Sequence, residues 1–287
     1  MEDDQLRILQ QQWRKDGYAV LRGHFSLATI KALRLACEKI LTKHRERDAA
    51  TGQPADRNAN SVRHLLRPEY AASDSEEFRL ICSAISDESL IKFLSKCFAG
   101  PPVFRDTHLW VEPEEREMNG QWHRGTQFRF PLDKSEQSIL SITRLKLSRV
   151  HIPLYSDNNV QIVPGSHLRW DNQEEYRIRK ADDMIHSRSH DILGANRMDL
   201  EPGDVLMFDP SVIHRGRYQP GKPRRTLMPT YSTVDVLEMY SSCQPWLNEK
   251  MLYNAVSRPI REFLDRSRRL WLDYEWRRGP DLFYWFP

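Results

Sequence analysis

The segment Glu201–His214, EPGDVLMFDPSVIH, joins a Pro-Gly turn to an apolar run that ends at a histidine. Pro and Gly favour tight turns, and a short apolar run bounded by turn residues indicates a buried strand. Runs of the same kind recur on both sides of this segment, from about residue 103 to residue 236: VFRDTHLWV, QWHRGTQFRF, RLKLSRVHIPLY, VQIVPGSH and TLMPTYSTV. Many short strands separated by turns predict a mainly β core, either a jelly roll or a barrel.

Helical patterns flank this core on both sides. Residues 3–16 predict a short helix and Tyr18–Arg22 a strand, after which Ser26 is placed to cap a second helix. Residues 74–99 predict one or two further helices, and Val256–Arg278 predicts a basic, aromatic helix. We therefore expect flanking helices around a β core.

We expect one domain over residues 1–287, because single-domain β folds often reach about 200–250 residues. Its expected parts are N-terminal helices with an edge strand (1–100), a jelly-roll core (101–236) and a C-terminal helical tail (237–287). Residues 48–61 have the composition of a loop. Residues 168–198 are a charged interruption of the core, longer than an ordinary connection, and we expect them to form a lid or binding loop.

The composition excludes several classes of protein. Hydrophobic residues make up 39% of the chain, enough for a core, so disorder is not expected. The four cysteines lie far apart without a C-x-x-C pair, which argues against a zinc ribbon or redox dithiol and favours buried free thiols. The acidic, polar N-terminus is unlike a signal peptide, and no apolar stretch approaches the ~20 residues of a membrane span, so we expect a cytoplasmic protein that does not enter a membrane.

The charge of the chain gives little support to nucleic-acid binding. A formal net charge of +3 is too small to indicate that function without basic residues gathered on one face. Arginines alternate with aromatic residues in the tail, a pattern that can stack on single strands. A helix that packs its aromatic face on the barrel or on a sister subunit is the simpler explanation, and it leaves a homo-oligomer open.

The segment QWHRGTQFRF, residues 121–130, contains the first candidate site residues. If it is a strand, alternation places His123, Gly125, Gln127 and Arg129 on one face. A His followed two residues later by a carboxylate supplies two of the three groups of a facial iron site, and a distant His completes it. In this chain Gly125 supplies no side chain at the second position.

A distant histidine and an arginine extend the pattern. His214 ends an apolar strand, and the chain between it and His123 is long enough to fold back and bring the two imidazoles together. Further along, Arg225 carries a guanidinium fork that suits the distal carboxylate of 2-oxoglutarate. Arg224 is its rival, because alternation lets only one of the two point inward.

With these residues the chain resembles the phytanoyl-CoA dioxygenase family of iron(II)/2-oxoglutarate oxygenases. The resemblance is carried, in order, by KDGYAVLR (15–22), Trp122-His123, VPGSH (163–167), Gly203-Asp204-Val205, His214 and Arg225. It implies a double-stranded β-helix, a cupin-like jelly roll, that uses O2, with His123 and His214 as iron ligands and Arg225 as the 2-oxoglutarate anchor. The chain departs from the family pattern at Gly125, where that pattern has Asp.

The departure at Gly125 changes the expected chemistry. Without the carboxylate the iron keeps a vacant, anion-seeking position, which chloride fits in charge and volume. The chain then resembles the iron(II)/2-oxoglutarate halogenases, which have Gly or Ala here. This resemblance implies chlorination of an unactivated C–H in a small, anionic substrate, with Gln127 and Arg129 as candidate substrate contacts. Two alternatives stay open: a hydroxylase whose Asp has been replaced at Gly125, naturally or by engineering, and a non-catalytic jelly-roll binding protein.

Other residues are weaker candidates for a metal site. A carboxylate from another segment is a further option, and Asp106, Asp204 and Asp209 are the nearest acids, although Asp204 more simply shapes the turn before its strand. His186 and His190 have the spacing of a helical metal pair. Their segment is polar, which favours solvated lid residues.

Overall fold

The fold is described by a computed structural model that covers residues 3–50, 61–128, 130–239, 244, 246–253 and 255–278. The helices in these ranges are α1 (Asp3–Asp16), α2 (Leu27–Ala50), α3 (Glu76–Ile85), α4 (Glu88–Phe98), α5 (Asp133–Thr143), α6 (Gln173–Arg179), α7 (Glu249–Tyr253) and α8 (Arg258–Arg278). The strands are β1 (Tyr18–Leu21), β2 (Ser61–Arg63), β3 (Val103–Val111), β4 (Met118–Asn119), β5 (Leu147–Pro153), β6 (Val160–Ile162), β7 (Asn196–Arg197), β8 (Val205–Phe208), β9 (His214–Tyr218) and β10 (Arg225–Ser232).

Two antiparallel sheets form the predicted jelly-roll core. The larger sheet has the strand order β1-β8-β5-β10-β3-β2, and the smaller has the order β4-β9-β6-β7. Strand β10 pairs with β3 along its whole length, from Arg225 opposite Val111 to Ser232 opposite Val103. Since side chains alternate along each strand, one face of the larger sheet lines the interior and the other is left for helices. The prediction of a mainly β, cupin-like fold is confirmed.

The N-terminal helices cover the outer face of the larger sheet. Buried residues of α2, α3 and α4, including Leu33, Phe78 and Phe93, share one apolar cluster with Ile152 of β5 and Leu227 of β10. The predicted Ser26 cap is present, because its hydroxyl accepts a hydrogen bond from the Thr29 amide at 3.1 Å. No helix in the described part of the chain is long and apolar enough to cross a bilayer.

The described cysteines lie inside this helical layer. Cys37, Cys82 and Cys97 are buried and free, as the sequence predicts, whereas Cys243 lies outside the described residues. Burial raises the pKa of Cys37 and of Cys97 to about 12. These thiols therefore stay protonated near neutral pH.

The structure differs from the sequence-based prediction around His123. We expected a strand over residues 121–130. Of its described residues, however, only His123 pairs with another strand, through an isolated bridge to His214, and a turn follows from Gly125 to Phe128. Helix α5, which comes next, was not predicted. Of the predicted 48–61 loop, residues 48–50 belong to α2, Ser61 begins β2, and the rest lie outside the described residues.

Candidate functional site

His123 and His214 lie side by side in a cavity between the two sheets. Their backbones form a reciprocal pair, with each amide 3.0 Å from the carbonyl oxygen of the other residue. Directly opposed residues of an antiparallel pair project their side chains to the same face. Both imidazoles therefore line the cavity, with ring centroids 4.2 Å apart. The structure thus brings together the two histidines that the sequence singled out.

Backbone carbonyls hold both imidazoles in one tautomer. Nδ1 of His123 lies 2.8 Å from the Gln121 carbonyl oxygen, and Nδ1 of His214 lies 2.9 Å from that of Val212. A carbonyl only accepts, so each Nδ1 donates its hydrogen and each neutral ring keeps a lone pair on Nε2. Burial, with Arg149 nearby, lowers the pKa of His123 to about 4. Burial and then His123 lower the pKa of His214 well below its usual range. Both rings are therefore neutral near pH 7, the state in which they bind metals.

No carboxylate from the described residues joins these two rings. Gly125 sits in the turn after His123, where its amide donates to the Pro210 carbonyl at 2.7 Å. Within the described ranges, no group of three or more His, Cys, Asp or Glu residues is arranged to hold a metal ion. A cation is present instead, because Nη1 of Arg149 lies 3.4 Å from Nε2 of His214. The site therefore offers two imidazoles beside a guanidinium.

The three acids considered as replacement ligands have other partners. Asp204 accepts hydrogen bonds from the amides of Gly23 and Glu201 at 2.9 and 3.0 Å, so it shapes its turn as expected. Asp209 accepts from the amides of Leu145 and Ser211. Asp106 does line the cavity, where its carboxylate lies 3.8 Å from Nε2 of His108.

The cavity is small and strongly basic. Its volume is about 350 Å³, near the lower end of the range of ~300–1,000 Å³ for small-molecule sites. Among the described lining residues, Asp106 is the single acid, whereas Arg63, Arg105, Arg149 and Arg224 are basic. Arg215 also borders the cavity, but its guanidinium is turned outward and pairs with Asp191. This charge favours anionic ligands over neutral or cationic ones.

The expectation that Arg225 points inward is wrong, and its rival Arg224 lines the cavity. Arg225 faces the helical layer, where its Nε lies 2.8 Å from Glu38 of α2. Its Nη1 lies 2.5 Å from Glu112, which follows β3. Arg224 has the opposite orientation, with Nε 3.0 Å from Oδ2 of Asp157. Its Nη1 is buried with no hydrogen-bond partner among the described residues. Arg224 thus presents an unused donor to a ligand in the cavity.

The chain matches one protein-family model over most of its length. The family model described as Phytanoyl-CoA dioxygenase (PhyH) matches residues 13–226, which is most of the chain. The chain belongs to the PhyH family. It is accordingly a non-haem iron- and 2-oxoglutarate-dependent oxidoreductase. No curated protein matches the chain.

Solved structures share the PhyH-family fold at low sequence identity. AviO1 from Streptomyces viridochromogenes Tue57 is 20% identical, with a TM-score of 0.56 over 79% of this chain and 94% of that one. EctD from S. alaskensis, solved with 2-oxoglutarate and 5-hydroxyectoine, is 16% identical, with a TM-score of 0.55 over 82% and 77%. The non-heme alpha ketoglutarate dependent carbocyclase SnoK from nogalamycin biosynthesis is 17% identical, with a TM-score of 0.56 over 82% and 85%. At this level of sequence identity, the similarity shows a shared fold and nothing more.

In this PhyH-family site, sequence reasoning overlooked Arg149 of β5. Arg149 and His151 both line the cavity, because they alternate with the outward-facing Val150 and Ile152 in RLKLSRVHIPLY. That alternation is the signal that could have identified them. Nδ1 of His151 and Nδ1 of His108 are buried without hydrogen-bond partners in the described part of the chain. Burial, and then the charge of Arg224, lowers the pKa of His151 to about 3.

The remaining predicted residues lie elsewhere in the PhyH-family fold. Gln127 faces residues 168–198, the expected lid, where its side-chain oxygen accepts a hydrogen bond from Arg179 and its amide nitrogen lies 2.9 Å from the Met184 sulfur. Gln127 is therefore not placed as a substrate contact. Arg129 lies outside the described residues. His186 and His190 are on the lid with their rings 4.6 Å apart, and His190 bonds Ser189.

Proposed function

We propose that this PhyH-family chain works as one catalytic domain over residues 1–287 and halogenates a small anionic substrate. His123 and His214 hold iron(II) through Nε2, and chloride takes the position that a carboxylate occupies in the family pattern. The observation that carries this proposal is the pair of neutral imidazoles, each with its lone pair on Nε2, beside Arg149, whose Nη1 lies 3.4 Å from Nε2 of His214. No acidic side chain completes the set in the described residues. Two histidines with open neighbouring positions fit iron(II).

Arg149 favours an anion at this position. Iron(II) brings two positive charges and 2-oxoglutarate two negative ones, so an added chloride leaves one negative charge in excess. The guanidinium 3.4 Å from His214 supplies a compensating positive charge inside the buried site, where electrostatic interactions are stronger than in water. Gly125 has no side chain to compete for the same space.

Arg224 is the proposed anchor for 2-oxoglutarate. Its buried Nη1 has a donor available for the distal carboxylate, and Nδ1 of His151 and Nδ1 of His108 are buried polar atoms on the same cavity wall. Asp157 holds Arg224 in place by its 3.0 Å ion pair and itself accepts hydrogen bonds from Thr226 and Asn159. Because Asp157 is already satisfied, the anchor is preorganised before the co-substrate enters.

The substrate is expected to be small and negatively charged. The co-substrate fills part of a cavity of about 350 Å³, and Arg224 neutralises only its distal carboxylate. Arg63 and Arg105 line the same cavity and add positive charge that a substrate carboxylate or phosphate would complement. Bound iron(II), 2-oxoglutarate and O2 supply the oxidation that replaces a hydrogen of an unactivated C–H bond with chlorine or hydroxyl.

Chloride dependence tests the proposal before any substrate is known. Anaerobic iron(II) and 2-oxoglutarate should give a metal-to-ligand charge-transfer absorption that shifts on adding chloride or bromide, and conversion of 2-oxoglutarate to succinate should depend on the halide. Gly125→Ala keeps the position free of a carboxylate and should retain the halide dependence. Gly125→Asp should lose it, because the new carboxylate takes the anion's place.

The other outcomes identify the alternatives. Halide-independent turnover that rises in Gly125→Asp would identify a hydroxylase that has lost its Asp. A protein that binds neither iron(II) nor 2-oxoglutarate would be a binding protein with no redox role, and the proposal would be refuted. Mass spectrometry of products with and without chloride separates the two enzymes once a substrate is found.

A further inference from the structure

The lid, residues 168–198, packs against the outer side of both histidine-bearing segments. His123 and His214 point into the cavity, so their immediate neighbours Trp122, Arg124 and Arg215 point away from it. All three neighbours are bound by lid residues. The lid thus holds the backbone that orients each imidazole.

One lid carbonyl joins the two segments. The carbonyl oxygen of His190 accepts hydrogen bonds from Nε1 of Trp122 and from Nη1 of Arg215, each at 2.9 Å. The Arg215 guanidinium also lies 4.4 Å above the Trp122 ring and pairs with Asp191 of the lid. A second lid carbonyl, that of Ser187, accepts from the Trp122 amide at 3.0 Å. These contacts link the strand of His214 to the residue preceding His123.

A buried charge network holds the segment after His123. Asp171 of the lid binds Arg124 at 2.8 Å and Arg179 of α6 at 2.7 Å, and Arg179 also binds Glu136 of α5 at 2.8 Å. All four of these charged side chains have 0% exposure. A charge so deeply buried needs its partner, because an unpaired one cannot reach water. Arg179 also donates a hydrogen bond to Gln127, which lies in the turn that begins at Gly125. Helix α6 is therefore bonded to that turn.

We infer that the lid is a clamp on the metal centre, with Arg179 and Arg215 as positioning residues that act through the neighbours of His123 and His214. This inference rests on the proposed function, in which those histidines bind the metal. The clamp fixes the backbone on the far side of both rings, so the two Nε2 atoms converge only when the lid is docked. Metal binding and lid docking are then thermodynamically linked, and each must strengthen the other.

Metal affinity of paired α6 variants tests the clamp. Co(II), which is stable in air, is titrated into Arg179→Met and Arg177→Met, with circular dichroism to check folding. Arg177 is on the same helix, but its side chain is 43% exposed and pairs with Glu174 of that helix. We expect Arg179→Met to weaken Co(II) binding by about 10–100-fold, the usual effect of losing support behind a ligand, and Arg177→Met to change it less than about twofold. A folded Arg179→Met with wild-type affinity would overturn the clamp.

Hydrogen exchange on the wild-type chain provides a test that needs no variant. Linkage requires bound Co(II) to slow amide exchange in residues 168–198, while α3 and α4, which pack in the apolar cluster on the larger sheet, should be unaffected. Unchanged lid exchange at saturating Co(II) would overturn the clamp alone. A wild type that binds no Co(II) would overturn the metal site and the clamp together, so the two failures are distinguishable.

Discussion

Arg224→Met tests which of two adjacent arginines binds the co-substrate. Arg224 lines the cavity with an unused Nη1 donor, whereas Arg225 lies on the other face of β10 in ion pairs with Glu38 and Glu112. Methionine keeps much of the volume of the arginine stem and removes the charge. The same substitution at Arg225 is therefore a matched control one residue away.

The contacts of the two arginines determine how much each substitution should change 2-oxoglutarate binding and the stability of the fold. A hydrogen bond to a charged group contributes about 1.5–3 kcal/mol, so Arg224→Met should raise the Kd for 2-oxoglutarate by about 10–150-fold. It also leaves Asp157 buried without its cation, which costs up to about 3–5 kcal/mol. The hydrogen bonds that Asp157 keeps from Thr226 and Asn159 put the loss at the lower end of that range. Arg225→Met breaks the pairs of a buried arginine with Glu38 and Glu112, whose side chains are 38% and 23% exposed. Because both carboxylates can reach water, the loss of stability should be smaller than the about 3–5 kcal/mol of a fully buried pair.

Affinity and stability are measured separately. The 2-oxoglutarate Kd comes from anaerobic titration followed by charge-transfer absorption, and the free energy of unfolding comes from urea denaturation. Arg225→Met should leave the Kd within about twofold of wild type, the limit set by an interaction that does not reach the cavity. If Arg225→Met abolished 2-oxoglutarate binding and Arg224→Met retained it, the assignment of Arg224 as the inward-facing anchor would be refuted.

Three further predictions concern His123, Gly216 and Asp209. His123→Ala should weaken Co(II) binding by more than about 100-fold in calorimetry, and a value near wild type would mean that other ligands hold the metal. A Cβ at Gly216 would overlap the Tyr218 ring, so Gly216→Ala should lower the free energy of unfolding by about 1–3 kcal/mol in urea denaturation; an unchanged value would contradict that packing. Burial raises the pKa of Asp209 from 3.8 to about 6, so its stabilising effect is complete below about pH 4 and is lost as pH rises through 6. The stability of wild type relative to Asp209→Asn should therefore fall by about 3 kcal/mol across that window, and a flat difference would refute the raised pKa.

Hydrophobic periodicity and turn residues predicted the strands and helices well, because these patterns depend on residues that are close together in the sequence. The apolar run before His214 forms β8 and leads into β9, and the helical spacing after Ser26 forms α2. The approach of His123 to His214 also followed, since a jelly roll folds distant strands against each other. These features depend on patterns that span a few residues at a time.

The errors arose where tertiary contacts overrode local pattern. The predicted strand does not continue past His123. Arg124 makes buried contacts with Asp171 and with backbone carbonyls, and the chain turns at Gly125. The choice between Arg224 and Arg225 depended on the parity of β10, which Leu227 reveals: it is in the apolar layer under the helices, and so Arg225 shares that outer face. The buried lid network has no local signature, because two of its ion pairs, Arg124–Asp171 and Arg179–Glu136, join residues 47 and 43 positions apart.

The thiols of the helical layer provide natural probes of unfolding. Alkylating reagents attack the thiolate, and at a pKa of about 12 Cys37 and Cys97 have almost none at neutral pH. Each of these residues, and Cys82 between them, belongs to a different helix. Brief iodoacetamide pulses followed by peptide mass spectrometry would therefore record, helix by helix, when this layer separates from the larger sheet.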